Sequence, residues 1–156
     1  MSAPPPTVTT PPPLLLDEQL CFAVYSTALA MGQVYKPLLQ RLHLTYPQYL
    51  VMLTLWERDA ITAKELAQRL HQDPGSITPL LKRLEQEGYL LRQRDSNDER
   101  HLSITLTPKG RRLQDKARAV NQEFGSACAL PDEEVLRLRD ALAALRNRLH
   151  TIGTPE

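Results

Sequence analysis

Aromatic residues are scarce in this chain of 156 residues, at 5%. Its apolar runs stay far short of the roughly 20 residues that span a bilayer, which excludes a transmembrane protein. Neither charge sign is in excess: 19 Lys and Arg stand against 18 Asp and Glu, a formal net charge of +1. That balance removes the simplest argument for a polyanionic partner, so any such argument must rest on where the charges sit. Cysteine is limited to two, Cys21 and Cys128. Their wide separation excludes a local CxxC redox or zinc motif. The histidines His43, His71, His101 and His150 show no metal-ligand spacing among themselves or with the cysteines. No metal and no cofactor is expected.

Proline, by contrast, is over-used, with 13 residues. Pro4, Pro5, Pro6, Pro11, Pro12 and Pro13 crowd the first positions, which predicts a solvated, polyproline-like tail over 1–13. That stretch has no basic residues and no long apolar core followed by small residues, so it does not read as a secretory signal. The expected compartment is the cytoplasm, where two thiols stay reduced.

Beyond the tail the pattern reads as helices and one short β-hairpin. Asp17 is suited to cap a first helix from about residue 17 to 34, with Leu20, Val24 and Ala28 on its apolar face. Pro37 predicts a break, or a fresh helical turn through 36–42. Thr45-Tyr46-Pro47-Gln48 has capping-box spacing and opens a helix from 46 to about 57, apolar enough to be buried on most sides. A second capping box, Thr62-Ala63-Lys64-Glu65, has Ile61 and Leu66 at staple positions and starts a short helix ending near His71. After a short connection, Ile77, Leu80, Leu81 and Leu84 mark one face of another helix. Asp73 or Ser76 caps it, Pro79 falls within its first turn or two, and Gly88 sits where a left-handed C-terminal cap belongs.

Residues 90–94 and 102–106 then read as strands, the second alternating cleanly, joined by the turn formers of 95–99. Thr107-Pro108 is a cap followed by proline at the first helical position. The helix it opens runs to about residue 125, with Leu113, Ala117, Val120 and Phe124 on one side. Pro131, followed by Asp132, Glu133 and Glu134, opens a last helix. Its Val135, Leu138, Leu142, Leu145, Leu149 and Ile152 approach a heptad seam. Cys128 is expected between these two helices.

Two short helices joined by a tight turn, then a basic hairpin, make a winged helix-turn-helix. The fold class is mainly α with a small β-hairpin wing, and a helical dimerisation region from the N- and C-terminal helices. With the apolar face turned inward, Ser76, Thr78, Pro79, Lys82 and Arg83 face out. Short polar residues at the helix start suit base edges, and the cations suit phosphates or guanine. Arg92, Arg94 and Arg100 flank the hairpin tip, where a wing enters a minor groove or grips the backbone. The charge balance is a cancellation: residues 82–118 carry +4 and the remainder −3. A basic module on a mildly acidic body is what phosphate contact requires. The alternative, a helical domain whose arginines only solvate its surface, accounts for neither the hairpin nor the segregation. The terminal heptad stripe packs within one subunit or zips to another. Because winged domains of this size read paired half-sites, a symmetric dimer is favoured.

The stretch Asp98-Glu99-Arg100-His101-Leu102-Ser103-Ile104-Thr105-Leu106-Thr107-Pro108-Lys109-Gly110 resembles the wing signature of MarR-type regulators, D-x-R-x-x-x-I-x-L-T-x-x-G. The resemblance covers nearly all of the chain beyond the tail and adds Asp98 to the expected DNA-binding set. Leu44 to Leu53 and Thr78 to Glu85 are similar to the organic hydroperoxide sensor branch, the OhrR repressors. The resemblance implies a peroxide-sensing cysteine at Cys21, with Tyr35 and Tyr46 hydrogen-bonding it across a dimer and Tyr25 nearby on the cysteine's own helix. It also implies the two-cysteine type, with Cys128 as the resolving thiol.

The residue chemistry agrees. Cys21 falls near the start of its helix, where backbone N–H groups favour thiolate, although Asp17 and Glu18 oppose this. Hydroxyl donors lower a thiol's pKa when they bond the anion. Leu20, Phe22 and Val24 suit a lipophilic peroxide. A buried, inert Cys21 is the plain alternative, and for Cys128 an incidental loop position is. The expected molecule is a cytoplasmic homodimeric repressor that binds a palindromic DNA operator when reduced. The resemblance implies that organic hydroperoxide oxidises Cys21, that a disulfide forms with Cys128, expected to be that of the other subunit with a bond within one subunit as the alternative, and that DNA is released. No membrane contact and no enzymatic activity are expected. The alternatives are a MarR-type repressor released by a small aromatic ligand and a thiol peroxidase. The expected division is 1–13 tail, 14–44 N-terminal dimerisation and sensing helices, 45–107 winged domain, and 108–156 C-terminal dimerisation helices.

Overall fold

The computed structural model describes residues 12–94 and 101–153. Internal packing divides the chain into two units, Met1–Gln33 and Val34–Glu156. In the first, Leu16–Glu18 form a single 3-10 turn, and α1 (Leu20–Gln40) begins two residues later. Asp17 therefore lies in that turn and does not cap an α-helix, which corrects the expected start. Leu20, Val24 and Ala28 are all exposed.

The expected break at Pro37 does not occur, because α1 continues through it to Gln40. Proline removes one intrahelical bond. The buried Leu38 and Leu39 anchor the turn that contains it, so packing outweighs that loss.

The rest of the second unit follows the capping signals closely. Thr45 Oγ1 accepts from Gln48 N at 3.4 Å, and Gln48 Oε1 accepts from Thr45 N at 2.9 Å, opening α2 (Tyr46–Glu57). The same reciprocal pair at Thr62 and Glu65 opens α3 (Ala63–Arg69). Asp73 precedes α4 (Pro74–Gln86), with Pro74 at its first position. This helix ends in a Schellman motif: Gly88 has φ 79°, Tyr89 N bonds Leu84 O, and Gly88 N bonds Glu85 O.

Strands β2 (Leu90–Arg94) and β3 (Leu102–Leu106) form the hairpin, with Leu90 opposite Leu106 and Arg92 opposite Ile104. A third strand, β1 (Ile61–Thr62), pairs antiparallel on the far side of β3, giving the order β1-β3-β2. Two residues are too short to show alternation, so the sequence reveals Ile61 only as a staple.

α5 (Pro108–Cys128) and α6 (Asp132–Gly153) complete the chain. Cys128 is the last residue of α5, not a loop residue, because Ala129 supplies the left-handed cap at φ 52°. Pro131 precedes α6, its carbonyl accepting from Glu134 N and Val135 N. The core joins Leu39, Met52, Leu55, Leu66, Ile77, Leu81, Leu84, Leu90 and Ile104, all nearly inaccessible. Burying each such side chain contributes about 1.5–3 kcal/mol. No helix among the described residues is long and apolar enough to cross a membrane.

Candidate nucleic-acid interface and thiol site

On α4 the apolar face turns inward: Ile77, Leu81 and Leu84 are buried and Leu80 is half-buried. Ser76, Thr78, Pro79, Lys82 and Arg83 are all exposed, on the opposite face. Thr78 Oγ1 donates back to Pro74 O at 3.3 Å, and Arg83 pairs with Glu87 at 3.3 Å. Pro79 sits in the second turn, where its missing N–H leaves the Gly75 carbonyl without its intrahelical donor. The polar face is thus presented on a helix held at its base by three buried aliphatic residues.

The wing cations divide. Arg94 is exposed at the end of β2. Arg92 is half-buried and held by Glu85 of α4: its backbone N donates to Oε2 at 2.8 Å, and its Nε and Nη2 donate to Oε1 at 3.3 and 3.1 Å. These hydrogen bonds hold the Glu85 carboxyl below the usual glutamate range. A lowered carboxyl pKa stabilises the fold above the unfolded value, and that support is lost as pH falls through the folded value. The tie should therefore persist through the pH range in which an ordinary glutamate titrates and loosen only below it. A carboxyl-carbon NMR titration should find Glu85 titrating below the range of an unperturbed glutamate. Asp98 and Arg100 lie outside the described residues.

Asp59, which sequence reasoning passes over, pins the foot of the hairpin. Its Oδ1 accepts from Leu106 N at 2.9 Å and its Oδ2 from Arg111 at 3.0 Å. Trp56 Nε1 donates to Gly110 O at 2.9 Å nearby. Isolated Asp and Trp side chains carry no spacing signal, so only the fold reveals this junction.

Cys21 is the second residue of α1 and is exposed, with its thiol free. Tyr25, one turn along, is 64% exposed. No acidic residue stands in the first turn of α1, since Asp17 and Glu18 fall in the preceding 3-10 turn. In the second unit an aromatic cluster forms around Tyr35. Its ring stacks on Phe124 at 4.0 Å and meets Tyr46 at 5.0 Å and Tyr49 at 5.9 Å. Tyr49 in turn lies 6.5 Å from Trp56. Cys128, one turn beyond Phe124 on α5, is half-buried and free.

Burial, then the neighbouring Tyr49, Tyr46 and Cys128, push the Tyr35 phenol well above the ordinary tyrosine range. Burial alone pushes Tyr46 up. Both phenols therefore remain O–H donors at any physiological pH. The structure thus brings Tyr35 and Tyr46 into one aromatic cluster, with Cys128 near enough to act on the Tyr35 phenol. Tyr49 and Phe124 belong to it too, although their apolar periodicity marks them in sequence only as core.

Comparison with known proteins places this geometry. The family of the transcriptional regulator SarA/Rot matches residues 33–117. The chain is 49% identical over 135 residues to the HTH-type transcriptional regulator TtmR of Methylorubrum extorquens strain PA1, covering 86% of this chain and 69% of that one. It is 41% identical over 135 residues to the organic hydroperoxide resistance transcriptional regulator of Bacillus subtilis strain 168, covering 86% and 92%.

Among solved structures it is similar to AbfR of Staphylococcus epidermidis. Reduced AbfR bound to DNA superposes with a TM-score of 0.72 at 37% identity, covering 86% of this chain and 93% of that one. Overoxidized AbfR bound to DNA gives 0.70 at 38%, covering 85% and 93%. Disulfide-formed AbfR gives 0.61 at 36%, covering 89% and 93%. Fold, helix-turn-helix geometry and relatives agree: the chain belongs to the SarA/Rot family and is a MarR-like winged-helix transcriptional regulator.

Proposed function

We propose that this regulator is a cytoplasmic, homodimeric repressor that senses organic hydroperoxide through Cys21 and resolves the product with Cys128 of the other subunit. The observation that carries this reading is the pairing of Tyr35 with Tyr46 in one aromatic cluster, with Cys128 at the end of α5 acting on the Tyr35 phenol. In the proposed dimer the two phenols, held as O–H donors, would receive the partner's Cys21 and hydrogen-bond its sulfur or sulfenic oxygen, with Cys128 at hand to resolve it. The Cys21 thiolate attacks one peroxide oxygen, the O–O bond breaks, and the alkoxide leaves as alcohol after taking a proton. The Cys128 thiol then attacks the sulfenic sulfur, forming the disulfide and releasing water. The likeness to the Bacillus regulator supports the effector. AbfR is known on DNA both reduced and overoxidized, and separately with its disulfide formed. This supports the disulfide, and not charge at sulfur, as the release signal.

In the proposed complex the exposed face of α4, namely Ser76, Thr78, Pro79, Lys82 and Arg83, reads the operator, with Arg94, Asp98 and Arg100 in the wing. Replacing Lys82 with Ala should weaken binding to all duplexes and reduce the slope of log affinity against log salt by about 0.9. The proposed division keeps 1–13 as a tail, 14–44 and 108–156 for dimerisation and sensing, and 45–107 for DNA. The seam of α6 supports the dimer: Leu138 is 54% exposed, Leu142 46%, Leu149 56% and Ile152 81% in the single chain. Changing Leu138 and Leu142 together to Glu should convert the dimer to monomer, read by light scattering at about 10 µM.

The direct test is non-reducing electrophoresis after one equivalent of cumene hydroperoxide. A covalent dimer that is absent from Cys128→Ser is expected. A wild-type chain that stays monomeric on the gel would sink the intersubunit resolution. A second reading has one observation behind it, a cleft of about 300 Å³ between α2 and α5 lined by Tyr49, Leu53, Trp56 and Asn121. A small aromatic effector there would release DNA from a chain lacking both cysteines.

A further inference from the structure

Arg92 stands in register with the fully buried Ile104, so its side chain starts on the core face of the sheet. Its guanidinium and backbone N–H converge on one carboxylate of α4. The two side chains are only 23% and 33% exposed. Both oxygens of Glu85 are engaged, one by the main chain of β2 and the other by the arginine fork. Such a fork fixes orientation as well as distance, which a single point charge does not. The pair spans the two elements that bear the polar DNA-facing set, α4 and the hairpin.

We infer that Arg92 is a positioning residue, which with Glu85 sets the angle between α4 and the wing and touches no DNA itself. The inference rests on the reading of α4 and the hairpin as the DNA-contacting surface. It accounts for a carboxylate on the helix that reads DNA. Glu85 opposes phosphate binding by its charge, yet it is the group that holds the wing in register with α4. Specificity depends on both elements reaching the duplex together, whereas non-specific attraction depends on the number of phosphates contacted, which a group touching no DNA leaves unchanged.

The test compares the wild-type chain with Glu85→Gln, Arg92→Lys and Arg92→Ala. The probes are a duplex selected by the wild-type chain from a randomised library and a scrambled duplex of equal composition, each measured across a salt series. All three variants should lose roughly ten-fold on the selected duplex, the equivalent of one charge-assisted hydrogen bond. Binding to the scrambled duplex should change by less than about two-fold, with the salt slope unchanged. Glu85→Gln is the sharpest variant, because it weakens specific binding while removing a negative charge.

Three results overturn the inference. Tighter binding by Glu85→Gln would make the carboxylate merely repulsive. A salt slope reduced by about 0.9 in Arg92→Ala and restored in Arg92→Lys would make Arg92 a phosphate contact. Equal losses on both duplexes, in proportion to a lowered Tm, would leave only a structural role. A wild-type chain that selects no duplex would instead defeat the underlying reading of the DNA surface.

Discussion

Replacing Cys21 with Ser should leave a regulator that binds its operator as the wild-type chain does and no longer releases it on organic hydroperoxide. The substitution exchanges sulfur for oxygen at an exposed position, so folding has little reason to change. A serine hydroxyl is not oxidised by peroxide, whereas an exposed cysteine thiol is. In wild-type protein, oxidation should lower operator affinity on the order of 100-fold, within the usual range for coupling between two sites. The variant should shift by less than about two-fold under the same treatment. Cys128→Ser provides the intermediate case: Cys21 still reacts, but the product stops at the sulfenic acid. Its mass should rise by one oxygen without a covalent dimer. Fluorescence anisotropy of a labelled operator, before and after one equivalent of oxidant, measures all three. Undiminished release by the Cys21→Ser protein would locate the sensor elsewhere, and the cleft between α2 and α5 is where the search would move.

Much of the fold is legible in the sequence because its helix starts are chemically marked. Thr45, Thr62 and Thr107 each present a side-chain oxygen three residues before an N–H that needs one, and each begins a helix where expected. Gly88 is legible for the complementary reason, since the helix end requires φ 79°. The misreadings occur where tertiary packing overrides a local rule. Pro37 forbids one hydrogen bond, but the buried Leu38 and Leu39 keep α1 intact. The strand at Ile61 is too short for periodicity and is defined only by its partners in β3. The exposed half of α4 follows from helical period alone, whereas the engagement of Arg92 does not. Its partner Glu85 lies seven residues earlier on a different element, and nothing in the local pattern of either distinguishes a tied arginine from a solvated one. The aromatic cluster around Tyr35 is similarly hidden, because Tyr35, Tyr49 and Phe124 come from three separate helices.

Gly110→Ala should be among the most destabilising single-methyl additions in the chain. Gly110 sits in the first turn of α5 with its N–H bonded to Thr107 Oγ1 at 3.0 Å. A Cβ built there would collide with the carbonyl oxygen of Tyr89, and it would also press on the Tyr89 carbonyl carbon and the Leu106 side chain. The two nearest atoms are backbone, which cannot swing aside as the end of a flexible side chain can. The Tyr89 carbonyl is held by Thr107 N at 3.1 Å, and Thr107 Oγ1 donates to Gly88 O at 2.6 Å, so moving one bond disturbs the next. Helix propensity alone would favour alanine over glycine by up to about 1 kcal/mol. The expected sign is the opposite, because overpacking against fixed backbone exceeds that gain. A net loss of about 3 kcal/mol, or roughly 6–12 °C in Tm, is expected. Thermal melts followed by circular dichroism measure it, and a Tm at or above that of the wild-type chain would show that the junction yields. The consequence reaches DNA binding, since Gly110 O also accepts from Trp56 and Leu106 N is held by Asp59. The hairpin, the start of α5 and the end of α2 therefore meet at one backbone crossing, and a methyl group that forces this crossing open frees the wing from the helices that aim it.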